Sequence, residues 1–344
     1  SANSAVPRTD LYARAFTGRE GLSAGPERMN QTPISRRPTS ARNWPWLARF
    51  IALDEAAGRW AEQSRWRIAV YEFVRFGIKQ GWACLFGASM LVLLMATHWF
   101  YPADAWLARY DFLVMAAVVI QVVMLWTGME TWEEAKVLAV FHVVGTIMEI
   151  FKTAVGSWTY PEESVLRVVA VPLFTGFMYA SVGSYIARVW RLFDFQFTRH
   201  PPLWAVGLLA VAIYVNFFTH HYTADVRLAL FAIATLLFGP AWVHFKVWRR
   251  HRRMPLLIGL LLVALFIWFA ENIATFAKAW VYPSQADGWT MVSPEKFGSW
   301  FLLMILSYAL VAWVQGIRRY EDAAMPVEAP IKAPIADVKP DEAG

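Results

Sequence analysis

Two glutamates carry the strongest hint of chemistry. Glu149 and Glu271 each lie inside a long apolar run, nine residues before a tryptophan (Trp158 and Trp280) that marks a membrane boundary. At 1.5 Å per helical residue this spacing puts each carboxyl roughly 13 Å below that boundary, near mid-membrane. Ionisable groups at such depth are costly to insert and face the protein interior. A dry pocket favours the protonated form of any carboxyl, which is the state a general acid needs. The competing reading is structural: a polar contact between helices, or a Glu149–Lys152 pair one turn apart.

His142 falls two turns before Glu149 on the same helical face, with Gly145 and Thr146 between them, and Lys152 extends this polar stripe. The corresponding places around Glu271 hold Ala264 and Ala274, so a working site would belong mainly to the first half. The catalytic candidates are therefore Glu149, Glu271, His142 and Lys152. Trp158, Tyr160, Trp280 and Tyr282 read as membrane-belt aromatics that would also wall a substrate. Asn272, with Asn216, reads as an interhelical hydrogen-bond partner near that wall. His98, His220 and His221, with Asp104 and Asp225 nearby, match no zinc spacing. No metal is assigned, and the sequence names no cofactor. It contains no phosphate-binding glycine loop, paired-cysteine site or serine-nucleophile elbow.

The elements that must position these residues follow from hydropathy. Of 344 residues, 58% are hydrophobic and 17% charged, with nineteen Trp and a net charge of +6. A soluble domain carries about a quarter charged residues, so the composition points to an integral membrane protein. Apolar runs long enough to span are Gly81–Trp99, Phe112–Trp126, Val137–Trp158, Val168–Ala187, Leu203–Thr219, Leu228–Phe245, Leu256–Trp280 and Gly298–Gly316. Pro172 and Pro240 fall near span ends, where a missing N–H is tolerable. Cys84, the single cysteine, reads as part of the core.

Arg and Lys concentrate after the fourth, sixth and eighth runs and before the first. The positive-inside rule then places both termini in the cytoplasm of a multi-pass membrane protein. One loop fits poorly: Thr127–Lys136 should be cytoplasmic, yet it holds Glu130, Glu133 and Glu134 against one Lys. Residues 1–43 read as a disordered basic segment and 321–344 as a disordered tail, and no secretory signal is visible. Residues 44–79 mix Trp and Phe with Arg as interfacial amphipathic helices do. The bilayer is the expected partner, with a lipophilic small molecule or other membrane-complex subunits in addition; no nucleic-acid partner is expected.

The halves repeat at a spacing of about 122 residues. Thr97-His98 recurs as Thr219-His220; Glu149, Thr153, Trp158, Tyr160 and Pro161 recur as Glu271, Thr275, Trp280, Tyr282 and Pro283. Four spans per half gives both halves one orientation. The expected fold is an all-α integral membrane protein of about eight transmembrane helices, built as a parallel duplication of a four-helix unit (80–201 and 202–320). A site made by both halves would lie near the pseudo-two-fold axis.

Phe141-His142, Glu149, Lys152 and the string Gly156-Ser157-Trp158-Thr159-Tyr160-Pro161-Glu162 resemble the YoaT-like family of uncharacterised bacterial integral membrane proteins. The resemblance covers roughly residues 75 to 320 and implies a multi-pass fold in a bacterial inner membrane but no activity. More distantly, Glu149, Gly156, Trp158, Tyr160 and Val171-Pro172-Leu173 are similar to carotenoid hydratase and small lycopene-cyclase type membrane enzymes. Those cyclases follow their proline with a carboxylate pair; here Leu173, Phe174 and Thr175 follow. These readings imply an enzyme acting on an isoprenoid or lipid through intramembrane Glu, with a proton-coupled permease or a structural membrane subunit as alternatives.

Overall fold

A computed structural model describes residues 45–320, so the expectations for the two tails lie outside the described residues. The fold is mostly helical. In chain order the helices are α1 (Pro45–Ala61), α2 (Arg65–Ala83), α3 (Leu85–Phe100), α4 (Arg109–Trp126), α5 (Trp132–Ala154), α6 (Phe174–Leu192), α7 (Leu203–Thr219), α8 (Arg227–Phe238), α9 (Leu256–Phe276) and α10 (Glu295–Gln315). By length and composition α4, α5, α9 and α10 can each cross a membrane, and α2 with α3 makes a fifth if that pair, bent by 67°, is one span. α7 and α8 are apolar but shorter. A helix thus occupies each of the eight apolar runs, while fewer than eight are long and apolar enough to span unaided.

The fourth and sixth runs depart from the sequence expectation. The fourth run begins as a two-residue hairpin, β1 (Arg167–Val168) and β2 (Val171–Pro172), and turns helical only at Phe174. The sixth ends at Phe238, because Gly239-Pro240 cannot continue a helix. The chain then forms β4 (Trp242–Lys246) and β5 (His251–Pro255), antiparallel to each other, with β3 (Gln196–Thr198) on the outer side of β4. Cys84 is exposed at the bend between α2 and α3 rather than packed in the core.

The main core gathers around α5, α6, α7 and α10, with Phe141, Ala180, Ile213 and Ile305 among its buried members. The acidic Thr127–Lys136 loop finds its explanation here. Glu130 and Arg188 form an ion pair at 3.4 Å with neither side chain exposed, and Gln121 and Ser184 complete the Glu130 hydrogen bonds. Glu134 caps α5 through Thr131 and takes two bonds from Arg191. Two of the loop's three acids are thus paired with arginines of α6, while Glu133 pairs with Lys136. On the same side, the buried Lys79 donates to the carbonyls of Leu192 and Lys246, each 2.9 Å away, tying α2 to the sheet.

Candidate functional site

Glu149 sits on α5 and Glu271 on α9, and both helices end alike. Gly156 takes a left-handed φ of 72°, and Ser157 and Gly156 donate back to Lys152 and Thr153. Lys278 takes φ 55°, and Ala279 and Lys278 donate back to Ala274 and Thr275. This is the two-bond helix stop that glycine favours, and it turns the chain back along its own helix. Arg109 and Tyr110 fix the second turn by donating to the carbonyls of Ala277 and Lys278.

The returning segments bring aromatic donors to the carboxyls. Glu149 accepts from Trp158 Nε1 (2.7 Å), from the Tyr160 hydroxyl and from the Tyr179 hydroxyl of α6 (2.8 Å). Glu271 accepts from the Tyr282 hydroxyl and from Trp300 Nε1 of α10, both at 2.5 Å. Both glutamates are buried, and no ion pair among the described residues reaches either. Burial pushes the Tyr160 and Tyr282 phenols well above their ordinary range, so both remain O–H donors at physiological pH. A carboxyl held only by neutral donors gains or loses a proton without breaking a salt bridge.

The two halves of this arrangement touch. Thr159 and Val281 form an isolated antiparallel bridge, and Trp158 meets Tyr282 edge-on with centroids 5.9 Å apart. The Lys296 ammonium lies 4.5 Å from the Tyr282 ring centroid and 5.8 Å from that of Trp158. Behind the glutamates runs a narrow apolar cleft, partly open to the outside, between α5, α6, α9 and α10. Its wall includes Phe141, Met148, Ile267 and Leu303, and it also includes both Tyr179 and Trp300. Gly145 makes this possible: a Cβ there would come within 2.5 Å of the Tyr179 ring.

The sequence-predicted residues divide accordingly. Glu149, Trp158 and Tyr160 come together, as do Glu271 and Tyr282. Trp280 joins the aromatic packing around Trp158 and Tyr282, while Trp300 supplies the indole donor to Glu271. Asn272 donates to Trp268 O and accepts from Val292 N, pinning the loop before α10. The polar stripe does not act as one unit. His142 packs on Phe177 at 4.5 Å with its Nδ1 buried and unpartnered. Lys152 turns to His221 Nε2 (2.7 Å) and His220 Nε2 (3.5 Å) rather than to Glu149. Sequence reasoning missed Tyr179 and Trp300. Their signal was weak, two aromatics of different type at nearly the 122-residue spacing expected of a repeat. Among the described residues no group of three His, Cys, Asp or Glu gathers to hold a metal.

Known proteins agree with this extent. The family described as Protein of unknown function (DUF817) matches residues 72–308, which includes both glutamates and every donor to them. The uncharacterised protein YoaT of Bacillus subtilis (strain 168) is 42% identical over 250 residues, covering 73% of this chain and 94% of its own length. No solved structure matches. With the family matched over most of its length, the chain belongs to the DUF817 family of proteins of unknown function.

Proposed function

We propose that this is a multi-pass inner-membrane enzyme that holds a lipophilic substrate, an isoprenoid or lipid, in the cleft between its halves and acts on it by acid–base chemistry of Glu149, with Glu271 as the second acid or base. The single observation that carries the reading is that Tyr179 and Trp300, which donate to the two different glutamates, form part of the wall of one apolar cleft. Between Glu149 and the cleft stands the Tyr179 hydroxyl, which can accept one proton as it donates another, whereas the Trp300 indole at Glu271 can only donate a hydrogen bond. The surrounding aromatics exclude water, the condition under which a carboxyl protonates a weakly basic substrate. Lipophilic ligands suit such a site, because pockets of this kind bind chiefly through apolar contact with a few placed polar groups.

The topology proposed with it is eight membrane-crossing segments in two parallel four-helix repeats, with both termini cytoplasmic. The Thr159–Val281 bridge supports the repeat, since both residues lie ten positions after their glutamates. The pairing of Glu130 and Glu134 with Arg188 and Arg191 removes the one loop that argued against that orientation.

The test is comparative mass spectrometry of lipid and pigment extracts from cells carrying the wild type, Glu149→Gln or an empty vector. A species that appears or disappears only with the wild type supports the enzyme and identifies its substrate class. Wild-type turnover in Glu149→Gln removes the role assigned to that residue. Identical extracts from all three, in both carotenoid-making and ordinary hosts, overturn the enzyme reading.

A further inference from the structure

At the end of the bundle that carries Trp158 and Tyr282, Lys152 and Lys296 each lie one helical turn beyond the cleft wall. Along α5 the cleft wall ends at Met148, and Lys152 lies one turn further on; along α10 it ends at Trp300, and Lys296 lies one turn further in the same direction. Residues four apart share a helix face, about 6 Å along the axis. Arg227 joins them by donating to Ser299 Oγ, one turn from Lys296 (3.2 Å).

Lys152 is the residue out of balance. It is only 5% exposed, and its ammonium meets two imidazoles and, at 4.2 Å, the Phe217 ring, none of which is an anion. His220 Nδ1 lies 2.9 Å from Asn216 O, which leaves its Nε2 as an acceptor toward Lys152. The nearby acids are otherwise engaged: Asp225 is held by Arg227 and Asn216, and Glu271 by Tyr282 and Trp300. A buried ammonium without a counter-charge costs several kcal/mol, and an anionic ligand would offset that cost. The second half has Ala274 where the first has Lys152, so the cap is a one-sided addition to the repeated frame.

We infer that Lys152, Lys296 and Arg227 form a receptor for an oxyanion head group, a phosphate or carboxylate, whose apolar tail enters the cleft beside Tyr179 and Trp300. The inference rests on the lipophilic-substrate reading above and narrows it to anionic amphiphiles. Head-group recognition would hold the substrate at a fixed depth, so that one carbon of the tail is presented to Tyr179 and Trp300, the donors to the two glutamates.

Isothermal titration of the purified full chain in a neutral detergent tests this with dodecyl phosphate, laurate, dodecanol and inorganic phosphate. At least one of the two anionic amphiphiles should bind about tenfold or more tighter than dodecanol and than inorganic phosphate. Lys152→Met and Lys296→Gln should each bring that ligand toward the dodecanol value, while dodecanol binding stays unchanged. Lys152→Arg, which keeps the charge, should retain a preference for the anion, and Lys296→Gln remains informative should Lys152→Met fail to fold. Equal binding of anionic and neutral amphiphiles, or a preference that survives both charge-removing variants, overturns the receptor. Inorganic phosphate binding as tightly as dodecyl phosphate overturns the tail-in-cleft arrangement. The enzyme reading fails separately: head-group preference would persist while extracts from wild type and empty vector stayed identical.

Discussion

Thr159 and Val281 exchange two backbone hydrogen bonds, of 3.0 and 2.9 Å, and each lies ten residues after a buried glutamate. Under the proposed duplication the two residues are counterparts, and a residue that pairs with its counterpart is what a two-fold axis produces. The consequence is testable by proline, which removes a backbone donor. Thr159→Pro and Val281→Pro should each lower thermal stability in detergent by a similar amount, about 1–3 kcal/mol for the carbonyl left unpaired. A large loss from one and none from the other would mean that the bridge does not join the halves symmetrically.

The Glu130–Arg188 pair is fully buried, so its two members depend on each other. Removing one leaves an uncompensated charge, and Glu130→Gln or Arg188→Met alone should cost roughly 3–5 kcal/mol. The double variant should recover most of that loss. Melting curves of the four proteins form the double-mutant cycle that checks it; additive losses would show the pair to be uncoupled.

The paired helix stops make a prediction of opposite sign in the two halves. Lys278 holds a left-handed φ of 55° that costs a side-chain-bearing residue about 1 kcal/mol, whereas Gly156 occupies the equivalent place without that cost. Lys278→Gly should therefore stabilise the protein by up to ~1 kcal/mol, since Arg109 and Tyr110 grip a backbone carbonyl that glycine keeps. Gly156→Ala should destabilise it by a similar amount. Thermal unfolding of both variants decides the matter.

Acid sensitivity should centre on Asp194, in the loop after α6. The His251 imidazole, 3.4 Å away, and the Arg318 guanidinium, at 2.7 Å, hold its carboxyl well below the usual carboxylate range. A depressed pKa means that the contribution to stability is present above the unfolded value near 4 and is lost as pH falls below it. Asp194→Asn should be less stable at neutral pH and should show a flatter decline below about pH 4. A wild-type decline of equal steepness in that variant would assign the acid sensitivity elsewhere.

Much of the candidate site was legible in the chain itself. Hydropathy over some twenty residues is a local property, so the eight apolar runs could be read directly, and a carboxyl inside one stands out because burying it is costly. The sequence marks Tyr160 and Tyr282 only as wall aromatics; a helix stop returns each of them, eleven residues on, to its own glutamate. Tertiary structure alone decided the lateral contacts. Tyr179 and Trp300 reach the glutamates from neighbouring helices 30 and 29 residues away. Lys152 leaves the stripe expected from helical periodicity because His220 and His221, 68 and 69 residues on, provide acceptors for its ammonium. Glu130 looked misplaced until Arg188, on another helix, supplied its counter-charge. Periodicity says which face a residue occupies; only the packing of helices distant in sequence says what that face meets.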